Sequence, residues 1–463
     1  MNLLRTSVVA LFFPALVFAQ ARPLSVQEFV PLFQSQDISL QETRVRTEQA
    51  QAQLRRDSDL FQSSLLLTPA FTRTEKHYQS PDLLLKNSGS EISAQLVQNT
   101  PIGMQLTFKG TKSYADGGAA ADFFLNHSYT FGVSLPLVRN HLGKSDRLQQ
   151  ASSALAFEAA RAMTAHRALE SCQEAVTIYL RAWARQQRVK LLEGSLKDAE
   201  RALKTAESSF RRKLSRRIDW LAAQSDFLRL QDLLAESKAE GKSALEQLHS
   251  YAGREITFAD PVSFIRRPVL VRSEPGSPLL MARQMELRSA EGALEATRSL
   301  QKSGVDFFAE YASTDGQVVT ATLNDYEEST IKAGIKITLP IFNRSMDAAV
   351  AHSAAQQTLA ESRLRETDRE FRAQAAAFPA LLESMEQKLG NFEKKVALKR
   401  AQVGEAYQLM ETGRMEFEDY LRLRDAHLNE VLAGYQLQMD LWNAKSSWAA
   451  LTGQHGFLCG TEL

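Results

Sequence analysis

Two stretches of the chain alternate apolar and polar side chains over about a dozen residues. In the first, Tyr129, Phe131, Val133, Leu135 and Leu137 hold the odd positions, with Thr130, Gly132 and Ser134 between them. In the second, Ile331, Ala333, Ile335, Ile337 and Leu339 do so, with Lys332, Gly334, Lys336 and Thr338 between them. A period of two predicts strands with two unlike faces. Pro136 and Pro340 mark the strand-to-helix junctions, where a residue without an N–H halts the ladder. The two stretches align at an offset of 204 residues. Another alternating pair, Ile92-x-Ala94-x-Leu96 and Ile102-x-Met104-x-Leu106-x-Phe108, is joined around Asn99-Thr100-Pro101. It predicts an extra hairpin in the first half.

A second repeat lies at an offset of 200, pairing Ile218-Asp219-Trp220-Leu221 with Glu418-Asp419-Tyr420-Leu421, Leu248 with Trp448, and Gly253 with Gly453. Each copy predicts a helix of about 35 residues stopped by its glycine. Before it, Gly143 to about Phe210 and Met346 to about Met410 read as one very long helix per half. The fall in offset from 204 to 200 predicts a second long helix about one turn shorter. Val26–Gln62 and Leu279–Gln301 read as the opening helices. The chain is thus written twice. The expected segments are a first repeat over 22–253, a linker rich in Pro, Arg and Ser over 254–278, a second repeat over 279–453 and a tail over 454–463.

Length constrains the architecture. A helix of roughly 75 residues spans about 110 Å, too long for a compact globule. Strands of about 12 residues reach nearly 40 Å, enough to cross a bilayer obliquely. Each half supplies too few strands to close a barrel, so closure calls for both halves and several copies. The predicted class is mainly α with β: a duplicated helix–strands–long helix–helix unit.

Composition sharpens this picture. Gly 22 and Pro 13 make 35 of 463 residues, about 8% against a usual ~12%, which favours long unbroken helices. With 55 basic and 54 acidic side chains, the net charge of +1 argues against nucleic acid as a partner. Met1–Arg5 carries a cation, Val8–Phe18 is apolar, and Ala19-Gln20-Ala21 ends the run. Residues 1–21 therefore read as a signal peptide and the mature chain as exported. The eight histidines are scattered and no catalytic motif occurs, so no enzyme activity, cofactor or metal is expected.

The repeated junctions Leu135-Pro136-Leu137 and Leu339-Pro340-Ile341 resemble those of the TolC-like outer-membrane efflux proteins. So do the turn sequences Phe210-Arg-Arg-Lys213 with Asp219-Trp-Leu221, and Met410-Glu-Thr-Gly413 with Asp419-Tyr-Leu421. The resemblance covers nearly the whole mature chain. It implies a homotrimer whose β-barrel sits in outer-membrane lipid and continues as a periplasmic α-helical barrel. It also implies an exit duct for an efflux pump or type I secretion system, docked on a periplasmic adaptor and served through it by an inner-membrane transporter. The competing class is a soluble periplasmic coiled-coil adaptor or scaffold. A trimer would hold twelve strands if the extra hairpin stays outside the barrel and eighteen if it joins.

The same resemblance places adaptor docking and turn residues at Lys213, Ser215, Asp219, Leu221, Gly413 and Leu421, and a periplasmic gate at Asp419 with Arg422. Lys213 stands where a tip glycine is expected, which would weaken that turn. Asp219 and Asp419 also suit helix capping. An i,i+3 pair of Asp419 with Arg422 would partly neutralise an acidic ring. Pro379 either swivels or statically kinks its helix. Cys172 and Cys459 both fall about 60 Å from the tips, but equal height does not fix azimuth, which leaves a disulfide open. The strand aromatics Phe71, Tyr129, Phe131, Phe307 and Tyr311 suit a lipid-interface girdle or an ordinary core.

Overall fold

The computed structural model describes residues 23–79, 82–116, 123–253, 258–259, 261, 265–266, 268–269, 277–319, 323–339 and 343–459. The expected signal peptide, most of the linker, Pro340 and the end of the tail lie outside the described residues. The chain opens with helices α1 (Val26–Gln36) and α2 (Ile38–Ser58), followed by strands β1 (Ser63–Gln79), β2 (Asp82–Asn99), β3 (Gln105–Asp116) and β4 (Phe123–Pro136). Helices α3 (Lys144–Arg211) and α4 (Arg217–Ala252) form a long hairpin. The second half repeats the plan with α5 (Pro278–Gln301), β5 (Gly304–Val319), β6 (Leu323–Thr338), α6 (Arg344–Glu411) and α7 (Phe417–Thr452), and ends in the short α8 (His455–Cys459).

Two expectations are corrected. The opening segment Val26–Gln62 is two helices broken at Asp37, whose backbone is extended. The Asp37 carboxylate accepts from the Ser39 N–H at 3.0 Å and the Leu40 N–H at 3.3 Å, so it caps the second helix and ends the first. The long helices α3 and α6 are also equal, at 68 residues each. The four-residue difference lies instead in the strand-to-helix junction, since Pro136 precedes Lys144 by eight residues and Pro340 precedes Arg344 by four. The longer junction contains a 3₁₀ turn, His141–Gly143, with positive φ at Asn140, Leu142 and Gly143. It packs against the turn between β2 and β3. A Cβ on Gly143 would meet the Pro101 carbonyl oxygen at 2.2 Å, so only glycine fits.

The chain divides into two compact units, and neither is a sequence repeat. One comprises residues 1–40, 166–275 and 373–463; the other comprises 41–165 and 276–372. Each draws on both halves.

In the second unit, the strands form one antiparallel sheet in sequence order, β1 to β6. The extra hairpin, β2–β3, is an integral part of it. Register aligns Leu65, Leu96, Phe108, Phe131, Tyr311 and Ile331 in one row across all six strands. All six are exposed, from 44% at Leu96 to 79% at Ile331. Phe71, Tyr129 and Phe307 lie on the same face and are exposed too, so the strand aromatics are not a core. Rows above and below add Leu67, Leu135, Ile335 and Ile337. Two rows beyond Tyr311, the face turns charged at Lys112, His127, Asp315 and Glu327. From Ile337 to Ser329 the apolar band runs about 26 Å along the strand. The opposite face carries Thr68, Ser93, Thr111, Ser128 and Thr314 in one row, with Glu91, Lys109, Glu310 and Lys332 in others.

Among the described residues, the first unit holds three apolar clusters. The largest gathers Phe29, Cys172, Tyr179, Phe378, Trp442, Trp448 and Leu458. Phe378 stacks on Trp448 at 4.5 Å, and the Tyr179 hydroxyl donates to the Leu24 carbonyl at 2.6 Å. The other two, around Leu230 with Leu428 and around Ala206 with Phe417, continue towards the hairpin tips. Ala202, Ala206, Ala223 and Ala406, from three of the four hairpin helices, are buried in the cluster nearest the tips.

Candidate functional site

The two tips are the same turn built twice. In one, the Lys213 N–H donates to the Phe210 carbonyl at 2.9 Å and the Leu214 N–H to the Ser209 carbonyl at 2.8 Å. In the other, Gly413 donates to Met410 at 3.1 Å and Arg414 to Leu409 at 2.8 Å. Lys213 adopts φ 60° and Gly413 φ 71°. The turn therefore forms with lysine where a tip glycine was expected. The lysine holds it in a left-handed backbone that favours glycine. The turn hydrogen bonds and the tip core outweigh that cost.

The tips carry opposite charge. Arg211, Arg212, Lys213, Arg216 and Arg217 surround the first; Glu411, Glu416, Glu418 and Asp419 surround the second, which also holds Arg414. Arg216 and Glu416, equivalent N-cap positions, meet at 3.3 Å. Asp219 turns back to accept from the Arg216 N–H at 3.1 Å, a capping contact. Asp419 instead pairs with Arg422 at 3.0 Å, with both side chains exposed. Leu221 is exposed, whereas Leu421 packs partly against the tip core with Tyr420 and Phe417. Ser215 holds its hydroxyl buried without a hydrogen-bond partner among the described residues. A cleft of about 520 Å³ between the tips is lined by Leu214, Ser215, Arg216, Asp219, Gly413 and Phe417, among others.

Behind the tips lies a charged cluster that the sequence reading missed. Arg424 on α7 and Asp226 on α4 are both buried and bonded twice, at 2.6 and 2.7 Å. Arg229 reaches Asp226 and Asp425, each at 2.8 Å or less, and Arg424 also contacts Asp425 at 2.9 Å. Burial pushes the Asp226 carboxyl up, but the Arg424 and Arg229 guanidinium groups outweigh it and hold the carboxyl below the usual aspartate range. Arg424 is likewise raised above the ordinary guanidinium value: its bonds to Asp226 overcome the effect of burial. One turn away, burial pushes the Tyr420 phenol up to about 12, so it is neutral. The cluster ties α4 to α7, one helix from each hairpin. Its only signal in the sequence is a break in the repeat, where Arg424 and Asp425 stand opposite the neutral Gln224 and Ser225.

The remaining expected positions lie on other elements. Pro136 ends β4 beside the junction turn. Pro379 is exposed within α6, and the helix continues through it; the neighbouring Phe378 is held in the large core. Cys172 and Cys459 are joined in a disulfide with their Cα atoms 5.5 Å apart. It fastens α8 to the middle of α3. Among the described residues, no group of His, Cys, Asp and Glu is arranged to hold a metal, and no helix is long and apolar enough to cross a membrane.

No protein-family model matches the sequence, and no curated protein matches it. Solved structures do. The outer membrane protein VceC from Vibrio cholerae is 13% identical with a TM-score of 0.65, over 92% of this chain and 96% of that one. This is the fold of the TolC-like outer-membrane channels. The CmeC outer membrane channel of Campylobacter jejuni, also 13% identical, gives a TM-score of 0.65 over 94% of this chain and 87% of its own. The MtrE outer membrane channel of Neisseria gonorrhoeae in its open state is 14% identical and gives 0.57, over 95% and 91%. A soluble adaptor has no use for a sheet with an apolar, exposed face, and that alternative is not supported.

Proposed function

We propose that the protein is an outer-membrane exit duct of a tripartite efflux pump or a type I secretion system. Three copies would close the sheets into a lipid-embedded barrel, with the helices extending into the periplasm. The chain would be a passive conduit, since energy comes from an inner-membrane transporter reached through a periplasmic adaptor. The observation that carries this reading is the sheet: one face apolar and exposed across every strand, the other rich in Ser, Thr and charge. That division of faces is what a lipid-facing wall around a watery pore requires. The likeness to known channels supports it independently.

The paired tips are the proposed periplasmic mouth. Threefold symmetry would bring Asp419 and Arg422 of each subunit towards the axis, where carboxylates and guanidinium groups set the field felt by a passing ion. Lys213, Ser215, Asp219, Leu221, Gly413 and Leu421 lie on the rim and are proposed to meet the adaptor. Arg424–Asp226 would hold the two hairpins together in the closed state.

The test is conductance in planar bilayers with the detergent-purified protein. The expected result is a small, mostly closed conductance. Arg422→Asp should make it more cation-selective, and Asp419→Ala less so. A water-soluble monomer that forms no channels would overturn the duct. Unchanged selectivity in both variants would remove these residues from the gate alone.

A further inference from the structure

We propose that the hairpin β2–β3 is part of the pore wall, so that three copies close a barrel of eighteen strands rather than twelve. The inference rests on the trimeric duct proposed above and specifies its bore.

Three observations carry it. The first is pairing. β1 pairs with β2 from Ser63–Gln98 to Gln79–Asp82, β2 with β3 from Gly89–Ala115 to Asn99–Gln105, and β3 with β4 from Gln105–Ser134 to Asp116–Phe123. A twelve-stranded wall made of β1, β4, β5 and β6 needs β1 against β4, and two full-length strands lie between them. The second is the pattern of faces. The apolar row from Leu65 to Ile331 passes through Leu96 and Phe108 without a break, and the polar row from Thr68 passes through Ser93 and Thr111. An appended hairpin outside the wall has no reason to keep both faces in phase with it. The third is anchorage. The β2–β3 turn is seated on the β4–α3 junction, where Cβ positions on Gly103 and Gly143 would each come within 3.1 Å of the other's backbone nitrogen. That junction is four residues longer than its counterpart in the second half, and the surplus is what holds the turn.

The sheet cannot remain open. β1 and β6, 17 and 16 residues long, each leave one edge unpaired among the described residues, and such edges seek another strand. The occupant is a second copy of this chain, β6 of one against β1 of the next, because the two edges match in length and carry the same apolar band. With strands about 4.8 Å apart and tilted by about 40°, eighteen strands make a wall about 35 Å across, against about 24 Å for twelve. The wider wall leaves an aqueous channel of porin size.

Cysteine pairs placed along one polar row distinguish the arrangements. In the detergent-solubilised trimer, Thr68→Cys with Ser93→Cys and Thr111→Cys with Ser128→Cys should each form an intrachain disulfide, read by peptide mass. Thr68→Cys with Ser128→Cys should not. The native Cys172–Cys459 bond takes no part. Formation of the Thr68–Ser128 bond, or an imaged trimer with twelve strands, would overturn the inference and leave the trimeric duct standing. A native mass other than three chains would overturn the duct and the eighteen-stranded barrel with it. A threefold image with an eighteen-stranded ring about 35 Å wide would support both.

Discussion

Lys213 and Gly413 occupy the same point of the same turn, 200 residues apart in sequence, at φ 60° and 71°. A left-handed backbone costs a residue with a Cβ about 1–2 kcal/mol relative to glycine. Lys213→Gly should therefore raise the thermal midpoint of the detergent-solubilised protein by an amount equivalent to about 1 kcal/mol. Lys213→Ala, which removes the charge but keeps the Cβ, should not. If both variants stabilise equally, charge repulsion at the basic rim is the cause and backbone strain is not.

In the proposed duct, Arg424 and Asp226 predict a closed state that depends on ionisation. The Asp226 carboxyl is held below its usual range, so its contribution is present above the unfolded value and is lost as pH falls through the lowered one. Conductance should therefore rise only in strong acid, below the ordinary aspartate range. Asp226→Ala should open the mouth at neutral pH and cost about 3 kcal/mol by leaving a buried guanidinium short of a partner. The low end of the range applies because Arg424 keeps Asp425. Wild-type conductance in Asp226→Ala would exclude the ion pair as a latch.

The disulfide closes a loop with a separation of 287 residues. Reduction, or Cys172→Ala, should lower stability by about 3 kcal/mol. The buried Phe457 and Leu458 would still favour the docked α8, so the loss should appear as a lower midpoint rather than as unfolding at room temperature. Limited proteolysis of the C-terminal residues under reducing conditions reads the same step.

Gly143→Ala places a methyl 2.2 Å from the Pro101 carbonyl oxygen, at a φ of 73°. Relief requires moving the β2–β3 turn away from the junction. For the proposed trimer, the expected outcome is loss of its heat-stable band on gels with the helical circular dichroism signal largely kept. The equivalent test at Gly253, where a Cβ would meet nothing within 4 Å, should leave that band unchanged and cost only the strain of its positive φ.

Periodicity and repetition made most of the architecture legible. Alternation at 129–137 and 331–339 announced strands with unlike faces, and the 200-residue repeat announced two hairpins with matching tips and glycine stops. Those features are local, because the period of a strand, the length of a helix and the conformation of a glycine cap depend on neighbours in sequence. The site was less legible. Asp419, Arg422 and Asp219 could be placed near the tips, yet Arg424 with Asp226 could not, since residues 198 apart meet only through the packing of α4 on α7.

What the sequence by itself determined is therefore the set of parts: the duplicated order of helices and strands, the great length of the helices, and the alternation of faces. Tertiary structure alone decided how those parts meet. It placed the four surplus residues in the β4–α3 junction rather than in a helix, set β2–β3 between β1 and β4, kept the Lys213 turn despite its strain, and joined Cys172 to Cys459. The physical reason is the same in each case. These outcomes turn on close approach between distant segments, where backbone contacts, buried charge and azimuth compete, and no pattern of neighbours along the chain records that competition.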